Sequence, residues 1–221
     1  EPLSETFAVA KLLHRARLSG VGETLDESLD TDARRQELEQ LERSLWGALE
    51  LYPDNKELIA FLLTQATDRG DSSQVESLLK RVPASAADDG RFFRHKGWLH
   101  RNREELVAAE KAFRLAIEKD PYDWRCRHQL AEVLRLQGNL EGAEPELAIA
   151  NLGAQLRKTI LGLSTLETLP VQVLEQLREY AAAVGDEGVV AQLTHRIALV
   201  KQVPDHTDSR EQSLENKNQG A

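Results

Sequence analysis

Small and apolar residues recur along this chain at a fixed interval of 34 residues, and that interval constrains the fold more than any other feature. Leu79, Phe113 and Leu147 form one column. Val82, Ala116 and Ala150 form a second, and Val75, Ala109 and Ala143 a third. Ala66, His100 and Leu134 form a fourth, less uniform one. Pro121 follows Pro53 at twice the interval, as Gly138 follows Gly70, each glycine leading into Asp71 or Asn139. Within 109–117, Ala109, Ala112, Phe113, Ala116 and Ile117 lie at the spacing of one helical face. The alanines let a neighbouring helix approach closely, and Phe113 fills the space beside them. Lys119 sits at the negative end of that helix, and Pro121 prevents its continuation. One helix pair cannot hide such a stripe, whereas stacked pairs can. The columns therefore predict an all-α chain built from helical units.

The pattern resembles the tetratricopeptide repeat (TPR). The resemblance is best over 90–123, where Phe93, Gly97 and His100 occupy first-helix columns and Ala109, Phe113, Ala116 and Pro121 match the second-helix pattern A-x3-F-x2-A-x4-P. Unit 124–157 carries Leu130, Ala131, Leu134, Gly138, Ala143, Leu147 and Ala150, with Gln155 in the Pro column. Unit 56–89 carries Ile59, Leu62, Leu63, Gly70, Val75, Leu79 and Val82. Two flanking units, 5–53 and 171–203, are degenerate. The resemblance implies a TPR-like α-solenoid of antiparallel helix pairs in a right-handed superhelix, a single repeat domain over 1–203. Residues 19–30 lengthen the first interhelix turn, and 158–170 are an insertion expected to extend a helix and cap the stack. Pro145 is expected to kink or delay its helix. The tail over 204–221 is almost without apolar residues and reads as flexible.

Composition excludes several function classes. The net charge of −9 argues against nucleic acid or an acidic lipid surface as a partner of the whole molecule. The single cysteine, Cys126, rules out an intramolecular disulfide and a four-thiolate zinc site. No apolar run is long enough to span a membrane, so no membrane insertion is expected. Methionine is absent, so a processed or trimmed chain is expected, cytoplasmic or exported after removal of a signal.

Chemistry-bearing motifs are missing. No phosphate loop, dinucleotide fingerprint, nucleophile elbow or H-E-x-x-H metal motif occurs. His95 and His100 are five apart and do not share a helix face, while Cys126 and His128 point in different directions. Carboxylate pairs such as Glu104–Glu105 and Asp88–Asp89 suit helix starts better than acid–base work. No cofactor, no metal and no catalysis are expected.

The resemblance places columns 2, 5, 9 and 12 of each first helix on the concave face, and spacings of 3, 4 and 3 do share one helical face. Those columns hold Arg91, Arg94, Trp98 and Arg101 in one unit, and Arg125, His128, Glu132 and Arg135 in the next. Segment 91–135 carries 11 Lys/Arg against 7 Asp/Glu, in an otherwise acidic protein. Guanidinium forks beside an aromatic ring suit carboxylates. The opposing expectation is that these arginines pair with acidic neighbours such as Glu132 or remain solvated, while Trp98 packs against the next repeat. The Lys and Asn of the family's chaperone-tail clamp are absent, with Ala60, Thr64, Arg94 and Trp98 in their columns. The asparagine ladder of some sugar-transferase superhelices is absent too; its column holds Phe61, His95, Gln129 and Gln176. The functional expectation is a non-catalytic scaffold or adaptor that binds an acidic peptide or partner surface through Arg91, Arg94, Trp98, Arg101, Arg125, His128 and Arg135. An accessory subunit of a larger enzyme complex, with catalysis on another chain, is the alternative. RNA binding is disfavoured by the acidic total.

Overall fold

The computed structural model describes residues 2–18, 32–165 and 169–202. The long first turn and the tail from Pro204 lie outside the described residues. Ten α-helices and no strand occur among the described residues, so the chain is all-α. They are α1 (Pro2–Leu18), α2 (Asp32–Leu51), α3 (Lys56–Asp68), α4 (Ser72–Lys80), α5 (Gly90–Asn102), α6 (Leu106–Lys119), α7 (Trp124–Leu136), α8 (Leu140–Leu161), α9 (Val171–Val184) and α10 (Glu187–Gln202). A short 3₁₀ turn over Ala84–Ala86 separates α4 from α5.

Local chemistry sets the boundaries. Asn55, Asp89 and Asp123 stand before α3, α5 and α7, and each side chain accepts a backbone N–H of the first turn, from Leu58, Arg91 and Cys126. Each of these three helices is 13 residues long, and their first residues are Lys56, Gly90 and Trp124. The helices that follow begin at Ser72, Leu106 and Leu140. Between each pair one residue adopts positive φ: Gly70 at 73°, Glu104 at 60° and Gly138 at 81°. Glycine accepts that conformation without a Cβ penalty, but Glu104 does not.

The chain divides into two compact units, Glu1–Leu147 and Ala148–Ala221, with the division inside α8. In the first unit the substantial helix contacts join neighbours or next neighbours in sequence, from α1 with α2 and α3 to α5 with α6 and α7. Its core is largely aliphatic, with Leu45, Leu49, Leu58, Ile59, Leu62, Leu63, Leu78, Leu130 and Leu134 fully buried, as is Phe113. Helices α5 and α6 run antiparallel at close range. A Cβ on Gly97 would lie 2.6 Å from the Phe113 ring, and one on Gly90 would lie 3.0 Å from the Ala116 carbonyl oxygen.

Helix α8 runs unbroken through Pro145, so the expected delay does not occur. Pro145 lies on an exposed surface near the helix start, where water can satisfy the carbonyl that its missing N–H leaves unbonded. The helix also continues through 158–161 before Gly162 turns the chain, so the first part of the insertion does extend a helix. In the second unit α9 packs on α10 across Gly185, which caps α9 at φ 83°. Lys201 and Glu175 pair across the two helices at 2.8 Å.

Candidate functional site

Helices α5 and α7 place the expected arginines on neighbouring surfaces, and their partners lie on adjoining helices. Arg91 donates to both oxygens of Glu57 on α3, at 2.8 and 2.9 Å, and also to Asp89, the residue that caps its own helix. These bonds hold the Glu57 and Asp89 carboxyls below the usual carboxylate range and push the Arg91 guanidinium further up. Arg94 donates to Asp123 at 2.6 Å, and Asp123 in turn caps α7. Arg101 pairs with Glu132 on α7, whose other oxygen lies 3.5 Å from His128 Nε2. Arg125 stacks on Trp124, 4.7 Å from the ring centroid. Asp68, at the end of α3, feels both Arg125 and Arg94, yet desolvation raises its carboxyl above the ordinary value.

Three of the five arginines thus sit in ion pairs that tie successive helices together. Arg94 is the most enclosed, with its side chain 19% exposed and Asp123 12% exposed. Its role is to dock α5 on the N-terminus of α7. Arg91 and Arg101 are more open, as are Glu57 and Glu132. An exposed pair such as Arg101–Glu132 contributes about 0–1 kcal/mol, whereas Arg91 is held by both Glu57 and Asp89.

Trp98 is corrected by the structure. The resemblance implied a concave-face position for it as an aromatic anchor, but it is buried at 6% exposure within the core of the first unit. A ring of that size gains more from packing than from solvent. The accessible apolar neighbour is Leu136, 65% exposed at the end of α7. Arg101, Glu132, Arg135 and Leu136 line one depression of about 380 Å³. The Arg135 side chain makes no ion pair or hydrogen bond with a described residue, so this depression combines an available guanidinium with an exposed apolar side chain.

Sequence reasoning missed several charged and polar groups here. Arg127, 7% exposed, donates to Glu146 at 2.8 Å and to the Pro121 carbonyl at 3.2 Å, fastening α7 to the start of α8. His95 is 2% exposed. Thr67 Oγ1 donates to the Leu63 carbonyl at 2.8 Å, so it accepts from His95 Nδ1–H at 2.9 Å. That leaves His95 Nε2 buried without a described partner. Burial, then the charges of Arg94 and Arg91, pushes the imidazole down to about 3, so the ring is neutral. Cys126 is buried, its Sγ near the Phe113 carbonyl at 3.5 Å, and burial pushes its thiol up and away from nucleophilic use. A readable signal existed for one pair. Glu57 and Arg91 lie 34 residues apart, the interval of the apolar columns, and pair across α3 and α5.

No three metal-ligating side chains cluster among the described residues, and no described helix is long and apolar enough to cross a membrane. No protein-family model matches the chain, and no curated protein matches its sequence.

Proposed function

We propose that this chain is a TPR-like α-solenoid acting as a non-catalytic interaction scaffold, and that an acidic protein segment docks on the α5–α7 surface. One observation carries the repeat reading. The starts of α3, α5 and α7, their carboxylate or amide caps, and the positive-φ residues Gly70, Glu104 and Gly138 all recur at the 34-residue interval of the apolar columns. In the proposed solenoid, helix pairs stacked in succession build an extended surface suited to a peptide.

The depression at Arg101, Arg135 and Leu136 supports the choice of partner. Arg135 is available to a carboxylate, Arg101 exchanges an exposed partner, and Leu136 offers apolar contact. Peptide-display selection on the intact chain, followed by titration of the selected peptide, tests this. Acidic, leucine-compatible sequences are expected, with affinity falling as salt rises and falling further in Arg135→Glu. Selection of neutral or basic peptides, or an affinity unchanged by Arg135→Glu, overturns the reading.

A further inference from the structure

A second cleft lies between α1 and α3, on helices that the α5–α7 reading does not use. It encloses about 240 Å³ and is lined by Val9, Ala10, Leu13, His14, Arg17 and Glu57, together with Thr6 and Asn55. Its floor is apolar, since Val9 and Leu13 are 3% and 5% exposed. The volume is below the roughly 300–1,000 Å³ of sites for drug-sized ligands and suits a single large side chain.

The rim decides what else the occupant must carry. Glu57 spends both oxygens on Arg91. Asn55 accepts from the Leu58 N–H and donates to Glu5 at 3.1 Å. Neither is available. Arg17 differs from both: its guanidinium lies 6.0 Å from the centroid of the Phe61 ring and hydrogen-bonds to no described residue. The ring holds the cation in place while its donors stay open. His14 is exposed beside it and likewise bonds to no described residue. The neighbouring cation Arg15, by contrast, is engaged by Glu37 at 3.2 Å.

We propose that this cleft is a separate docking site for a peptide segment of a partner, taking one bulky apolar side chain onto Val9 and Leu13 and an adjacent carboxylate onto Arg17. Charge complementarity selects the occupant: among the described lining residues Arg17 offers open cationic donors, and the one carboxylate, Glu57, is engaged by Arg91. The inference stands independently of the α5–α7 reading.

The test is an amide-shift titration of the isotopically labelled chain with three capped tripeptides, Asp-Leu-Asp, Asn-Leu-Asn and Asp-Ala-Asp. Asp-Leu-Asp is expected to move amides of α1 and the first turns of α3. Its affinity is expected to fall roughly ten- to a hundred-fold in Arg17→Gln, the range for loss of a charged hydrogen bond. Ala10→Phe, at an exposed position on the cleft wall, is expected to abolish the shifts by filling the site while leaving the helical spectrum intact. Equal binding of Asn-Leu-Asn or Asp-Ala-Asp overturns the proposal, as does an unchanged affinity in both variants. Shifts confined to α5 and α7 also overturn it, and would instead favour the proposed docking surface there.

Discussion

Lowering the pH from 7 to 5 should destabilise the first unit through one residue, His95. The folded chain holds this imidazole at about 3, whereas in the unfolded chain it returns to about 6.5. The folded value is depressed, so the stabilising contribution is complete above about 6.5 and is lost as pH falls from there towards 3. Below 6.5 the unfolded chain takes up a proton that the folded chain refuses. Each pH unit in that window is worth about 1.4 kcal/mol, and between pH 7 and 5 the loss is about 2 kcal/mol. Carboxylates, including Asp68 with its raised value, are present in both proteins of the comparison below and cancel. The assay is urea unfolding followed by circular dichroism at pH 7, 6 and 5, on the wild type and on His95→Gln. Glutamine stands in the same column at Gln129 and does not titrate. The other histidines contribute equally to both proteins and cancel in the comparison. Parallel pH profiles would refute the reasoning, since they would mean that His95 is protonated freely in the folded state.

Three further perturbations follow from the packing. Gly97→Ala should cost about 1–3 kcal/mol, read as a lowered urea midpoint, because its Cβ would lie 2.6 Å from the fully buried Phe113 ring; a midpoint equal to wild type would mean that α5 and α6 are further apart. Glu104→Gly should stabilise the chain by about 1 kcal/mol, seen as a rise in thermal midpoint, because Glu104 alone among the non-glycine described residues holds positive φ. Arg127→Met should destabilise by about 3–5 kcal/mol by stranding Glu146, whereas the double variant Arg127→Met, Glu146→Leu should recover most of the loss in a double-mutant cycle.

The helices were legible because their signals are local. Ala109, Phe113 and Ala116 mark one face of α6 at helical spacing, and Pro121 marks its end, without reference to any other segment. The starts of α3, α5 and α7 recur at the interval of those columns. The surface chemistry was harder to read. Arg91, Arg94 and Arg101 looked like a basic face because spacing reports which way a side chain leaves its helix, and not what awaits it there. Arg94 meets Asp123 from 29 residues away, a partner no column pointed to, whereas Glu132, an expected acidic neighbour, does pair with Arg101. Those partners depend on how the helices stack.

Trp98 shows the same division within one residue. Its position in the α5 face was correct as periodicity, but the approach of neighbouring helices decided that the ring is covered. The sequence by itself determined the all-helical class and the columns of small and large residues, because each follows from backbone propensity and a period of 3.6. Only the tertiary structure decided which charges are spent and which remain. It closed Arg91, Arg94 and Arg101 into pairs, buried His95 as a neutral ring, and left Arg17 and Arg135 with open donors beside apolar surface. Pairing and desolvation depend on distances of a few ångströms between helices, and those distances exist only after the helices have packed.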